Sequence, residues 1–195
     1  MKEIKKNQFY LSNKINFLQI FNIIKKNIPR SIFSNIDYYF FKKVTKKNLL
    51  AIFVVKKKRK IVSVISVISP KNYLKLKREI MLYLLLNPFY IISNLNFFFS
   101  LLERDNNIIN KKKEKYYLHL LHLIIFKKNF KNMNLKRKDQ TINFFFKKII
   151  KIYNANYFYL CYEKDNTSAK NYYKRNNFTI YQKKNNTVFL KKRFF

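Results

Sequence analysis

Glycine is absent from this 195-residue chain, where roughly 14 would be expected at an average usage of about 7%. Alanine occurs only at Ala51, Ala155 and Ala169, and tryptophan not at all. Tight turns and left-handed positions must therefore be built from another residue, chiefly Asn, which also tolerates positive φ. The single cysteine, Cys161, excludes an intrachain disulfide. With His119 and His122 as the only histidines, no cluster of zinc-site spacing exists, and no metal is expected. Acidic residues are scarce, 9 against 43 Lys and Arg, for a net charge of +34. The opening MKEIKKNQFYLSNK lacks the apolar run of a secretory signal, so a reducing, cytoplasmic setting is expected. The longest uncharged stretch, 80–102, is broken by Asn87-Pro88 and diluted by Ser93, Asn94, Asn96 and Ser100. It reads as a buried or partly disordered insertion, with membrane contact as the alternative.

What is present argues for a packed core. The chain holds 21 Phe and 15 Tyr among many Ile and Leu, whereas disordered chains combine high charge with few such residues. The length suits one domain, 1–195, with an insertion at about 70–115. Lys, Asn, Ile, Phe and Tyr dominate, and all five have codons built mainly of A and T. The charge is thus a compositional bias spread along the chain, and a weaker pointer to nucleic acid than in a balanced sequence.

Periodicity gives the order of elements. A short strand is expected at 8–11, then a helix at 15–26 with Ile15, Leu18, Phe21 and Ile24 or Lys25 on one face and Asn13 as cap. A second helix follows Pro29, at 36–44. The β-branched runs 49–55 and 61–69, joined by the basic turn 56–60, predict an antiparallel hairpin. The pattern over 70–115 is irregular. Residues 116–126 read as a strand buried on both faces. Residues 139–153 read as a helix, 157–162 as a strand, 166–175 as a helix, and 178–182 with 188–191 as a hairpin turning at Asn185-Asn186, both at positive φ. The order predicts a mixed α/β sheet that is not regularly doubly wound.

The sharpest pattern lies in the last third. After the strand at 157–162, Asn166, Ala169, Tyr173 and Phe178 stand at spacings of three, four and five, with Asn177 before the Phe. Asn166 can cap a helix, Ala169 and Tyr173 share one helix face while Tyr172 points elsewhere, and Asn177 sits where a helix ends in a left-handed residue. The pattern resembles the N-x-x-A-x-x-x-Y-x-x-x-G-F motif of the GNAT N-acetyltransferases, with Asn177 in place of Gly. Residues 130–136, Phe-Lys-Asn-Met-Asn-Leu-Lys, resemble that family's Q/R-x-x-G-x-G/A loop, with Lys131 at the Arg position, Asn134 at the first Gly and Lys136 at the second.

That resemblance implies the GNAT fold, a mixed, mostly antiparallel sheet with helices on both faces, and acetyl-CoA as cosubstrate. The cofactor would lie against Ile125, Phe126, Lys131, Asn134, Leu135, Lys136, Arg137, Asn166, Ala169 and Tyr173, its arm in a gap between strands splayed at 121–126 and 157–162. Tyr173 would protonate the leaving thiolate, since a phenol of pKa about 10 keeps its proton at neutral pH. For the base, Tyr117 and His119, the other two expected catalytic residues, alternate onto one strand face, with His122 on the other. His119 titrates near neutrality, so it can serve as base or be a hydrogen-bonded interior residue.

Within the family, the front of the chain looks most like the catalytic subunits of protein N-terminal acetyltransferases. Ile28-Pro29-Arg30-Ser31-Ile32-Phe33 resembles their F/L-P-x-x-Y turn, Tyr117-Leu118-His119-Leu120-Leu121 their Y-x-L-x-L strand, and Leu160-Cys161-Tyr162 their L-H-V. Pro29, Phe33, Tyr38, Tyr117 and Cys161 are then the expected substrate contacts. A protein or peptide N-terminus is the expected acceptor, with the ribosome or an auxiliary subunit as further partner. The alternatives are a non-catalytic basic protein binding RNA or ribosome, and an acetyltransferase acting on a lysine side chain or a small amine.

Overall fold

The computed structural model describes residues 9–29, 33, 36–57, 60–87, 116–130 and 133–194. Among these, the strands are β1 (Phe9–Ser12), β2 (Ala51–Lys57), β3 (Lys60–Ile68), β4 (Tyr117–Ile125), β5 (Tyr157–Glu163), β6 (Thr179–Lys184) and β7 (Thr187–Arg193). The helices are α1 (Phe17–Asn27), α2 (Tyr38–Lys46), α3 (Pro70–Leu86), α4 (Leu135–Ile152) and α5 (Thr167–Arg175). The strands form one sheet in the order β1-β2-β3-β4-β5-β7-β6, antiparallel throughout except for the parallel pair β4–β5.

Two cores lie on opposite faces. On one, α4 sets Ile142, Phe145, Phe146 and Ile149 against Val62, Ile65, Leu118, Leu120, Phe158 and Leu160. On the other, Ile20, Ile24, Phe41, Leu76 and Ile80 of α1, α2 and α3 cover Val54, Val64, Ile68 and Ile124. Each buried Phe or Ile side chain contributes roughly 1.5–3 kcal/mol.

Asparagine takes over the work of glycine. Every residue at positive φ among those described is Asn: Asn48, Asn154, Asn177 and Asn185. Three of them end helices in the same way. After α2, α4 and α5 the left-handed Asn and the apolar residue following it donate back to the last turn: Asn48 to Thr45 and Leu49 to Val44, Asn154 to Lys151 and Ala155 to Ile150, Asn177 to Lys174 and Phe178 to Tyr173. These are paired Schellman bonds, which satisfy carbonyls that the helix leaves open. At the β6–β7 turn only Asn185 has positive φ; Asn186 does not, and its carbonyl accepts from the Lys164 amide.

The structure departs from the periodicity in three places. Helix α1 starts at Phe17, so its cap is Asn16, which accepts from the Gln19 amide at 3.0 Å, and not Asn13. Residues 70–86 are a regular helix, capped by Ser69 with Pro70 at its first turn and burying Tyr73, Leu76, Ile80 and Leu84. The remainder of the expected insertion, 88–115, lies outside the described residues, as does most of the apolar stretch 80–102. No helix among the described residues is long and apolar enough to cross a membrane. Third, β4 carries a bulge: Ser66 pairs with His122 and Val67 with Leu120, leaving Leu121 as the extra residue. A bulge exchanges the faces of all that follows it. His122 consequently stands on the same face as His119, opposite to strict alternation.

Candidate active site

The parallel pairing of β4 and β5 lasts three residues, Tyr117 to Tyr157, Leu118 to Phe158 and His119 to Tyr159. Beyond it the strands separate, β4 remaining paired only with β3 and β5 only with β7. The divergence starts after His119 and Tyr159; Tyr157 and Tyr159, expected in the gap, are still paired. A cleft of about 640 Å³ occupies the gap. Its walls include Leu135, Asp139 and Ile142 of α4 with Ala169, Tyr172 and Tyr173 of α5 on one face of the sheet, and Ile28, Pro29, Tyr73 and Leu76 on the other. The cleft therefore connects the two faces through the sheet.

Tyr173 is buried, its ring 5.0 Å from Phe178, 5.4 Å from Tyr172 and 6.0 Å from Tyr162. Burial, with a smaller contribution from Cys161, pushes its phenol well above the usual tyrosine range, so it stays protonated. Asn166 caps α5 by accepting from the Ala169 amide at 3.0 Å, and both residues line the cleft. Tyr172 does not point away: it lines the cleft too, and its hydroxyl is buried. Cys161 is exposed on the cleft wall.

His119 lines the cleft within an aromatic surround, its ring 5.1 Å from Tyr117, 5.6 Å from Tyr73 and 6.2 Å from Tyr159. Tyr117 is buried behind it, stacked edge-on to His119 and Tyr159, and is not a lining residue. His122 is buried 5.5 Å from the Phe33 ring. Burial lowers its pKa to about 4, so it is neutral at physiological pH.

The remaining expected contacts divide. Ile125, Leu135 and Pro29 line the cleft. Phe126 packs into the core with α1–α3. Phe33 is fully buried against Phe41 and is not a wall of the cleft, and Tyr38, edge-on to Phe21, does not line it either. Lys131 lies outside the described residues. Asn134 is the cap of α4, extended at φ −66° and accepting from the Arg137 amide at 2.9 Å. Its backbone needs no glycine. Lys136 and Arg137 are exposed on the first turn. The Leu135 and Lys136 amides, having no acceptor within the helix, remain as donors for an anion at the cleft mouth. Tyr73, Tyr159, Tyr181 and Glu163 also line the cleft and were missed by sequence reasoning. Tyr73 alone had a local signal: Ser69-Pro70 is a helix start, and Tyr73, Leu76, Ile80 and Leu84 are helically spaced.

Acetyl-CoA suits this arrangement: an apolar gap through a sheet for a thin arm, free helix amides and cationic side chains for a pyrophosphate at its mouth, and a buried phenol beside it. Among the described residues no group of three or more His, Cys, Asp or Glu could hold a metal ion.

No protein-family model and no curated protein matches the sequence. Solved structures do. The N-acetyltransferase PseH of Campylobacter jejuni, in complex with acetyl coenzyme A, is 15% identical at a TM-score of 0.54, covering 95% of this chain and 98% of that one. Spermidine N-acetyltransferase from Vibrio cholerae, in complex with CoA and spermine, is 11% identical at 0.56, covering 95% of both chains. A GNAT-family acetyltransferase from Listeria monocytogenes is 15% identical at 0.52, again covering 95% of both. The chain has the GNAT fold, with its mixed, mostly antiparallel sheet and helices on both faces.

Proposed function

We propose that this protein is an acetyl-CoA-dependent N-acetyltransferase of the cytoplasm, and that its acceptor is the N-terminal α-amine of a peptide or protein. The observation that carries the reading is the through-sheet cleft opened where β4 and β5 part, with Tyr173 on its wall. Acetyl-CoA would supply an activated thioester.

The chain's own residues account for the rest of the chemistry. The cationic first turn of α4, with the Leu135 and Lys136 amides, would hold the pyrophosphate. Ile125, Leu160 and Ala169 would line the arm. Beyond His119 the side of β4 that faced β5 has no sheet partner, so its backbone N–H groups can polarise a carbonyl in the gap. Tyr173, protonated, would donate to the departing sulfur. His119 and His122 both line the cleft on the face opposite α4 and α5, and of the two His119 can take a proton from the amine, directly or through water. His122 cannot: at a pKa of about 4 it is a weak base.

The acceptor assignment rests on Pro29, Tyr73, His119 and Tyr159 together on that face. Such an apolar wall favours a chain end entering head first over a flexible lysine stem. A net charge of +34 would attract acidic peptides and the ribosome alike, an attraction that fades with salt.

Acetyl-CoA at a hundredfold excess over its Kd should stabilise the fold by about 2.7 kcal/mol. An unchanged melting temperature at millimolar acetyl-CoA leaves the reading without foundation and favours a basic binding protein. With activity in hand, peptides with a free N-terminus should be acetylated, and the same peptides with a blocked N-terminus and a free lysine should be poor acceptors. Equal rates on the two would refute the acceptor assignment alone.

A further inference from the structure

Tyr172 presents an unusual combination. As a residue it is partly exposed and lines the cleft, yet its hydroxyl oxygen is buried with no hydrogen-bond partner. Leaving a buried polar group unpaired is costly, so native structures seldom do it without a reason. Asp139, another cleft residue, gives its carboxylate to Arg175 at 3.2 Å, joining α4 to α5. The Tyr172 phenol is pushed well above its usual range, chiefly by burial and then by Tyr173 and Asp139, so it remains a donor at any physiological pH.

We propose that the Tyr172 hydroxyl is a cofactor-binding donor that bonds a neutral amide carbonyl on the arm of coenzyme A, next to the thioester; this rests on the acetyltransferase reading. Two observations select that part of the cofactor. The Tyr172 ring lies 5.4 Å from that of Tyr173, so a group serving the thioester sulfur at Tyr173 has the adjacent arm, not the nucleotide, within reach of Tyr172. The Asp139–Arg175 ion pair beside it is charge-balanced and leaves no net positive charge to hold a phosphate, so a neutral carbonyl is the suitable acceptor. Tyr173 and Tyr172, consecutive on α5, thus divide the cofactor between chemistry and positioning.

The test is Tyr172→Phe, which keeps the ring and removes only the hydroxyl. Calorimetric titration with CoA should show Kd raised about three- to tenfold, the worth of one neutral hydrogen bond. Binding of 3′-phosphoadenosine diphosphate, which lacks the arm, should be unchanged. The ligand-free variant should melt no lower than the parent, because a buried donor without a partner has been deleted. Unchanged CoA binding, equal weakening of both ligands, or a lower melting temperature without ligand would each overturn the assignment. If the parent itself binds no CoA, the acetyltransferase reading fails as well; if it does and the variant matches it, the role of Tyr172 alone is refuted.

Discussion

The bulge in β4 brings His122 into a position where acid should destabilise the protein through one residue. The imidazole is buried against Phe33, opposite Ser66 on β3, and burial lowers its pKa from 6.5 to about 4. Between those values the unfolded chain binds a proton that the native state refuses, so stability is complete above pH 6.5 and falls as the pH drops toward 4. A difference of about 2.5 units at 1.36 kcal/mol per unit comes to roughly 3 kcal/mol in full, of which about 2.5 is lost by pH 4.5. For a domain of this length that corresponds to about 5–10 °C in Tm. The assay is urea unfolding of the parent and of His122→Leu at pH 7.5 and 4.5. Every other ionisable group is common to both proteins, so the difference between the two pH-induced losses isolates His122. The parent should lose about 2–3 kcal/mol more than the variant. Parallel losses would show that His122 is solvated or charged in the native state, and the argument from burial would fail.

Tyr173→Phe should lower kcat by 10² to 10⁴ while leaving CoA binding nearly unchanged, because it deletes a proton donor and keeps the ring; steady-state kinetics with calorimetry separates the two, and parental turnover would make Tyr173 packing only. At Asn177, with φ of 56°, substitution by Ala should cost about 1–2 kcal/mol for a side chain that resists the left-handed region. Asn177→Gly, which restores the glycine of the resembling motif, should be as stable as the parent or slightly more so. Chemical denaturation checks both, and an Ala variant as stable as the Gly variant would contradict the conformational account.

Local rules in the amino-acid order determined a good deal. The spacing of Asn166, Ala169, Tyr173 and Phe178 marked a cap, a helix face and a left-handed ending, all of which depend on residues within one or two turns. In a chain without glycine the same logic singled out Asn, and each positive φ among the described residues falls on it. Ser69-Pro70 was equally legible as the start of α3, but the long apolar run that follows obscured it. Side-chain destinations that depend on neighbouring elements could not be read in this way. Strict alternation assigned His122 to the wrong face because a bulge is set by the pairing of β4 with β3, not by β4 alone. Phe33 and Tyr38 looked like walls of a groove, while the packing of α1 and α2 turned one into core and left the other outside the cleft. Tyr73, Tyr159 and Tyr181 come together at the cleft from three separate elements, and only the tertiary structure, by ending the β4–β5 pairing after three residues, decided that there would be a cleft for them to share.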